Sequence, residues 1–275
     1  MAKQQLNVGK IAKLKSRNPV IEFDKLQLYF ANSYVIDVES AEGIITMKQP
    51  TIGDIVRIGE QEYYTTLHLF TTNTTAFRLQ LWDQGIDWNK LSDFELFAML
   101  VHSANKEVYS TFLPDIDFAN FGLYEKRLPD GETTVKVMYD QANQIEINEE
   151  VYYHISQYLR NVFNISPEEK MTTDRIMKQW FIDKDRRELK NRELKKKNGD
   201  EEESGLLPLI SACCNHPGFK YRSDALRQLG VFQFWDSVKR LQVYESTTAL
   251  QKGLYSGMID GSKIKPEEYN FMKAV

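Results

Sequence analysis

The chain has 275 residues, with 35 Lys and Arg against 39 Asp and Glu, a formal charge of −4, and 42% hydrophobic and 27% charged residues. These are the values of an ordinary globular protein, and no apolar run approaches the roughly 18 residues that a membrane helix needs. The basic, polar stretch Met1 to Ser16 has no apolar centre and does not read as a secretory signal, and the adjacent Cys213 and Cys214 offer no disulfide framework, so a reducing compartment is expected.

The first fifty residues look partly β. Leu26 to Phe30, Tyr34 to Val38 and Ile44 to Met47 are short runs rich in β-branched and aromatic residues, with Asn32-Ser33 and Glu42-Gly43 as turns between them. They predict a small antiparallel sheet. Thr51 then reads as an N-cap with Asp54 as its capping-box partner, and Ile52, Ile55, Val56, Gly59, Tyr63, Leu67 and Phe70 follow one helix face. Gly53 and Gly59 weaken such a helix by roughly 1 kcal/mol each, so packing must hold it, and a close neighbour explains them more simply than a ligand does.

A second helix fits Thr75 to Gln84, stopped by Gly85. Ser92-Asp93-Phe94-Glu95 is a capping box, and Phe94, Phe97, Ala98 and Val101 continue it at helical spacing. Residues 104 to 147 revert to loop and strand. Phe121 to Lys126 and Thr133 to Tyr139 predict a hairpin around Leu128-Pro129-Asp130-Gly131, and Ile145-Glu146-Ile147 a further short strand.

From Asn148 the pattern is helical. Val151, Ile155, Tyr158, Leu159 and Val162 form one face, and Ser166-Pro167-Glu168-Glu169 reads as the next helix start, with Met177, Trp180 and Phe181 packing. Asp183 to Lys197 holds eight basic and four acidic residues and only two large apolar ones, Leu189 and Leu194. A helix without an apolar face is solvated or bridges between bodies. Ser223 predicts the N-cap of a short helix. Val231, Phe234, Trp235, Val238 and Leu241 define a longer helix, which Gly253 and Gly257 interrupt, and Ile264 to Met272 supplies a final one. The expected fold class is α+β and predominantly helical. It divides into a mixed N-terminal domain (1–182) with small antiparallel β elements, a charged helical linker (183–204) and a small helical C-terminal domain (205–275).

Recognisable catalytic machinery is missing. The four histidines, 68, 102, 154 and 216, are widely spaced, and no HExxH, CxxC pair, EF-hand loop, GxxxxGK[ST] or GxGxxG occurs. Asp115 with Asp117, and Asp83 with Asp87, are the carboxylate pairs available for acid–base work, but such pairs are common on surfaces. No enzyme activity, metal or cofactor is expected. The cations between Lys184 and Lys197 suit phosphates, but interleaved acids and the absence of stacking aromatics oppose nucleic-acid binding. Aromatic residues, 15 Phe, 14 Tyr and 4 Trp, make up 12% of the chain. They anchor cores and binding patches alike, and Trp82, Trp88, Phe94, Trp180, Phe234 and Trp235 are the candidate partner-binding side chains.

Gln49-Pro50-Thr51-Ile52-Gly53-Asp54-Ile55, Gly59-Glu60, Trp82 to Trp88 and Asp93 to Phe97 resemble proteins from tail gene clusters of tailed phages infecting Gram-positive bacteria. Arg240-Leu241, Gly253 to Gly257, Ile264 and Asn270-Phe271-Met272 are similar to the same group. The resemblance covers mainly 44–103 and 205–275, and it carries over no functional residues. It implies a tail-assembly chaperone or baseplate-hub assembly factor whose partners are tape-measure, tail-tube or baseplate components. A homo-oligomer is compatible with that reading. The protein would act in the host cytoplasm during assembly, and a permanent virion subunit is the rival within the same class.

Overall fold

The computed structural model describes residues 20–128, 133–198 and 203–273. It is mostly helical, with small antiparallel sheets in the N-terminal half and a helical C-terminal part. The first predicted strand is instead a short helix, α1 (Lys25–Tyr29). The Asp24 side chain accepts the Leu26 N–H at 2.8 Å, and this local cap outweighs the β propensity of the run. The next two runs pair as expected: β1 (Tyr34–Ile36) lies antiparallel to β2 (Ile45–Met47), with Val35 opposite Thr46.

Thr51 and Asp54 form the predicted capping box at the head of α2 (Ile52–Ile58). The single helix expected through residue 70 breaks at Gly59, whose φ of +104° is in the region that favours glycine, and α3 (Glu60–Thr71) starts anew. The helix expected from Thr75 is shorter, α4 (Arg78–Asp83), because Thr71 to Thr75 form a buried polar stretch. That stretch holds the loop after residue 166: Asn73 donates to the Glu168 carbonyl, and Thr75 accepts the Lys170 N–H. Ser92 and Glu95 cap α5 (Asp93–Leu100) as expected. A short helix not anticipated from sequence, α6 (Lys106–Tyr109), follows, capped by Asn105.

A three-stranded antiparallel sheet comes next, β3 (Gly122–Arg127), β4 (Thr134–Asp140) and β5 (Ile145–Ile147), in that order. Leu128 N–H donates to the Thr133 carbonyl and closes the hairpin; the predicted turn residues Pro129 to Gly131 lie outside the described residues. Helix α7 (Glu149–Phe163) then buries Val151, Ile155, Tyr158, Leu159 and Val162 as the periodicity requires.

Ser166 does not start a helix. The chain runs on as a loop, tied down further by Trp88 Nε1 to the Lys170 carbonyl and Asn89 Nδ2 to the Thr172 carbonyl. The 23-residue α8 (Arg175–Lys197) begins after Asp174, whose carboxylate accepts the Ile176 and Met177 N–H groups. It docks through Ile182, which is fully buried beside Leu79, Leu81, Trp88 and Leu96. A bidentate ion pair adds to this, with Arg78 Nε and Nη2 each 2.5 Å from the Asp185 carboxylate. Residues 186–195 are exposed throughout, so the second half of the helix stands in solvent.

The remaining helices are α9 (Leu206–Asn215), α10 (Ser223–Gln228) and α11 (Val231–Tyr255). Arg222, not Ser223, occupies the cap position of α10. Helix α11 continues through Gly253 and ends before Gly257. The final predicted helix is replaced by two 3-10 turns, Gly261–Lys263 and Pro266–Tyr269, because so short and polar a stretch buries too little to hold a regular helix.

Gln49 to Asp54 is the seam that joins the two ends of the chain. Ile52 N–H donates to the Leu229 carbonyl and Val231 N–H to the Pro50 carbonyl, each at 3.0 Å. Gln49 Nε2 donates to the Leu28 carbonyl while its Oε1 accepts the Phe232 N–H. Gly53 lies so close to α10 that a Cβ there would stand 2.7 Å from the Arg227 carbonyl oxygen, the close neighbour that the sequence suggested for this glycine. Glu60 completes the attachment: its Oε1 accepts the Gly205 and Leu206 N–H groups at 3.0 Å, capping α9 from another helix. One hydrophobic cluster accordingly runs from Leu28 and Met47 through Tyr63, Phe97 and Tyr158 to Val231, Phe234 and Val238.

Candidate functional site

Three of the six aromatic side chains expected to meet a partner are inside the fold. Trp88 and Phe234 are fully buried and Phe94 nearly so, leaving no surface for another protein. Phe94 and Phe234 stand at core positions of α5 and α11, whereas Trp88 is buried in the turn between α4 and α5, and helical spacing alone does not distinguish an inner ring from an outer one. Trp82 is half-buried, edge-on to Trp88 at 6.0 Å. Trp180 is half exposed on α8, with the Lys184 ammonium 5.9 Å above its ring. Trp235 is half-buried on α11, and its Nε1 is buried without a hydrogen-bond partner among the described residues. The six therefore do not form one patch.

The polar groups weighed for chemistry are engaged elsewhere. Asp83 pairs with Arg186 and Asp87 with Lys178, each at 2.6 Å, and Asp117 holds Lys106 at 2.6 Å. The Lys106 ammonium beside Asp117 keeps that carboxyl below its ordinary range. His216 Nε2 lies 3.1 Å from Glu245. Cys213 is buried, and burial raises its thiol pKa. Among the described residues, no group of three or more His, Cys, Asp or Glu side chains is arranged to hold a metal ion.

Trp235 instead belongs to a surface groove. Along α11 the stripe Phe232, Trp235 and Lys239 follows at 0, +3 and +7, next to the buried stripe of Val231, Phe234 and Val238. α1 and the end of α7 rise beside it, leaving a cavity of about 750 Å³. Asn164 ends α7 in the left-handed conformation, φ 54°, and accepts a hydrogen bond from Lys239 at 2.8 Å. Arg160 is fixed in the same wall, donating to the Thr71 and Thr72 carbonyls.

A second cavity of about 810 Å³ adjoins the first, and Tyr29, Asp236 and Arg240 line both. Its other walls are the loop Pro217 to Tyr221, Tyr244 of α11 and Phe271 near the end of the described chain. Tyr221 accepts a hydrogen bond from Gln233, and burial pushes its phenol above the usual value. Tyr244 meets Phe271 edge to face at 6.1 Å. Arg240 donates to the Phe271 and Lys273 carbonyls and so ties the last turn to α11.

Together the two cavities form a trough with an apolar, ring-rich lining. Among the described residues, five cationic side chains stand around it, Lys25, Arg160, Lys220, Lys239 and Arg240, against one carboxylate, that of Asp236. The local charge is therefore opposite in sign to that of the whole chain. Among the described residues that line it, the arrangement is a ring-rich floor with a cationic rim, which suits binding. Of its residues, sequence reasoning had singled out only Trp235 as a contact. The available signal was the stripe beside the core stripe of α11, with a lysine at its end.

Residues 196–274 match the family model described as the YomV second domain, and YomV is a Bacillus prophage-region protein. No curated protein and no solved structure matches the chain. The matched segment supplies α9 to α11 and most of the trough, while α1 and α7 contribute the rest from outside it. No helix among the described residues is long and apolar enough to cross a membrane.

Proposed function

We propose that this protein is a phage-associated assembly factor that acts by binding another protein and makes no covalent bonds of its own. The observation that carries the reading is the trough along α11: aromatic, cationic and open, on the segment similar to a prophage-region protein. Large rings in a concave site supply the anchors on which protein interfaces concentrate their energy. The partner class is a tail component, such as a tape-measure, tail-tube or baseplate protein.

The test is affinity purification of the tagged full chain from cells expressing the adjoining tail genes. Recovery of a tail component in stoichiometric amount is the expected result, and its absence from every tail complex overturns the proposal. Mass spectrometry of purified particles then separates an assembly factor, absent from the virion, from a permanent subunit.

A nucleic-acid reading has one observation in its favour. The distal half of α8 is exposed and carries Lys190, Arg192 and Lys195 without ion-pair partners among the described residues. It predicts DNA binding that falls steeply with salt and disappears when these residues are neutralised.

A further inference from the structure

We propose that the trough along α11 receives an acidic, amphipathic segment of the partner protein, about 12 residues long if helical. The inference rests on the assembly reading and adds the chemistry of what is bound. Phe232 and Tyr244 mark the two ends of the trough on α11. At about 1.5 Å per residue, the twelve steps between them span about 18 Å. A helix laid alongside needs about the same number of residues.

Sign decides the composition of the occupant. Lys25 stands on the α1 wall, Lys239 and Arg240 on the α11 wall and Lys220 on the far loop. Lys25 and Lys220 are exposed and have no hydrogen-bond or ion-pair partner among the described residues. Asp236, the one opposing carboxylate among the described lining residues, is 4.0 Å from Arg240. The apolar lining between these cations calls for apolar side chains on the same face of the occupant, with carboxylates at its edges.

The chain's own segments do not supply that occupant. Residues 1–19 carry Lys3, Lys10, Lys13, Lys15 and Arg17 and no carboxylate, so their charge has the wrong sign. The acidic residues that precede α9 end at Glu203, which lines a different cavity beside His68 and Arg192, where the adjacent Ser204 bonds Glu60.

Fluorescence anisotropy with a labelled 14-residue peptide tests this, with Leu and Phe on one helical face and Glu on its flanks. Two comparison probes are its Glu→Gln counterpart and a 14-nucleotide single-stranded DNA. The acidic peptide is expected to bind the full chain and to weaken as salt is raised from 50 to 300 mM. The variant Lys25→Glu/Lys220→Glu is expected to bind it at least about fivefold more weakly with an unchanged melting temperature, because both side chains are free at the surface. Equal binding of the Gln peptide, an unaltered affinity in the double variant, or tighter DNA binding through the same lysines would each overturn the proposal.

The two readings fail separately. If tail proteins co-purify equally with wild type and the double variant while the acidic peptide does not bind, the trough assignment falls and the assembly role stands. If the peptide binds as described and no tail protein is recovered, the recognition chemistry stands and the assembly role falls.

Discussion

Gly53→Ala measures how tightly the seam between the two ends of the chain is closed. Judged by helix propensity alone, alanine should stabilise α2 by about 1 kcal/mol. The structure predicts the reverse. The added Cβ would stand 2.7 Å from the Arg227 carbonyl oxygen, whereas ordinary contact begins at 3.4 Å, so α2 and α10 must separate by the difference, 0.7 Å. The obstructing atom is backbone and cannot rotate aside. Separation strains two hydrogen bonds nearby, Ile52 N–H to Leu229 and Val231 N–H to Pro50. Overpacking costs about 1–3 kcal/mol and each weakened bond up to about 1 kcal/mol. After the propensity gain, the net loss is about 2 kcal/mol, within a span of about 0–4 kcal/mol, at about 2–4 °C in Tm for each kcal/mol at this chain length. Urea unfolding gives the magnitude, and hydrogen exchange should show faster opening at the amides of Val231 and Phe232 than in β3 and β4. A Gly53→Ala protein equal to or more stable than wild type would refute the argument, since the contact would then impose no constraint.

Asp185→Ala should cost about 3–5 kcal/mol, because Arg78, with a side chain only 9% exposed, would keep its charge without its bidentate carboxylate; denaturant midpoints give the value, and a loss under 1 kcal/mol would mean that Ile182 and the Asp87–Lys178 and Asp83–Arg186 pairs hold α8 without it. Burial lowers the pKa of both His68 and His154, so the unfolded chain takes up protons first as pH falls through about 6.5. Their contribution to stability is therefore complete above that pH and is lost on descending toward the lowered folded values. Unfolding free energies at pH 7.5, 6.5 and 5.5 should show this decline, and a flatter one in His68→Gln/His154→Gln. An identical slope in that variant would assign the decline to carboxylates.

Local chemistry made much of the fold legible. Thr51 with Asp54 and Ser92 with Glu95 are short-range boxes that need no tertiary information, and both formed where the sequence placed them. Where distant residues decide, the sequence misleads. Ser166-Pro167-Glu168 has every local mark of a helix start, yet Asn73 and Thr75 hold the backbone beyond it as a loop. Gly59 was readable as a weak point in a helix but not as a break, because its positive φ follows from how α3 must turn to pack. The candidate site was less legible than the fold. Periodicity identified the rings of α11, and only the neighbouring helices determine that Phe234 faces the core while Trp235 faces the trough. Lys25, Lys220 and Lys239 lie far apart along the chain and share an environment only after folding.

The pairing of Thr51 with Gly230 bears on how the polypeptide is made. A ribosome exposes the Pro50 carbonyl and the apolar side of Ile52 long before their mates emerge. Loop-closure entropy delays so remote a union, and during that delay nascent chains carry an uncovered greasy edge. Truncating the gene ahead of α10 would make this vulnerability permanent, so shortened products should accumulate as aggregates even though most of the β structure is already encoded.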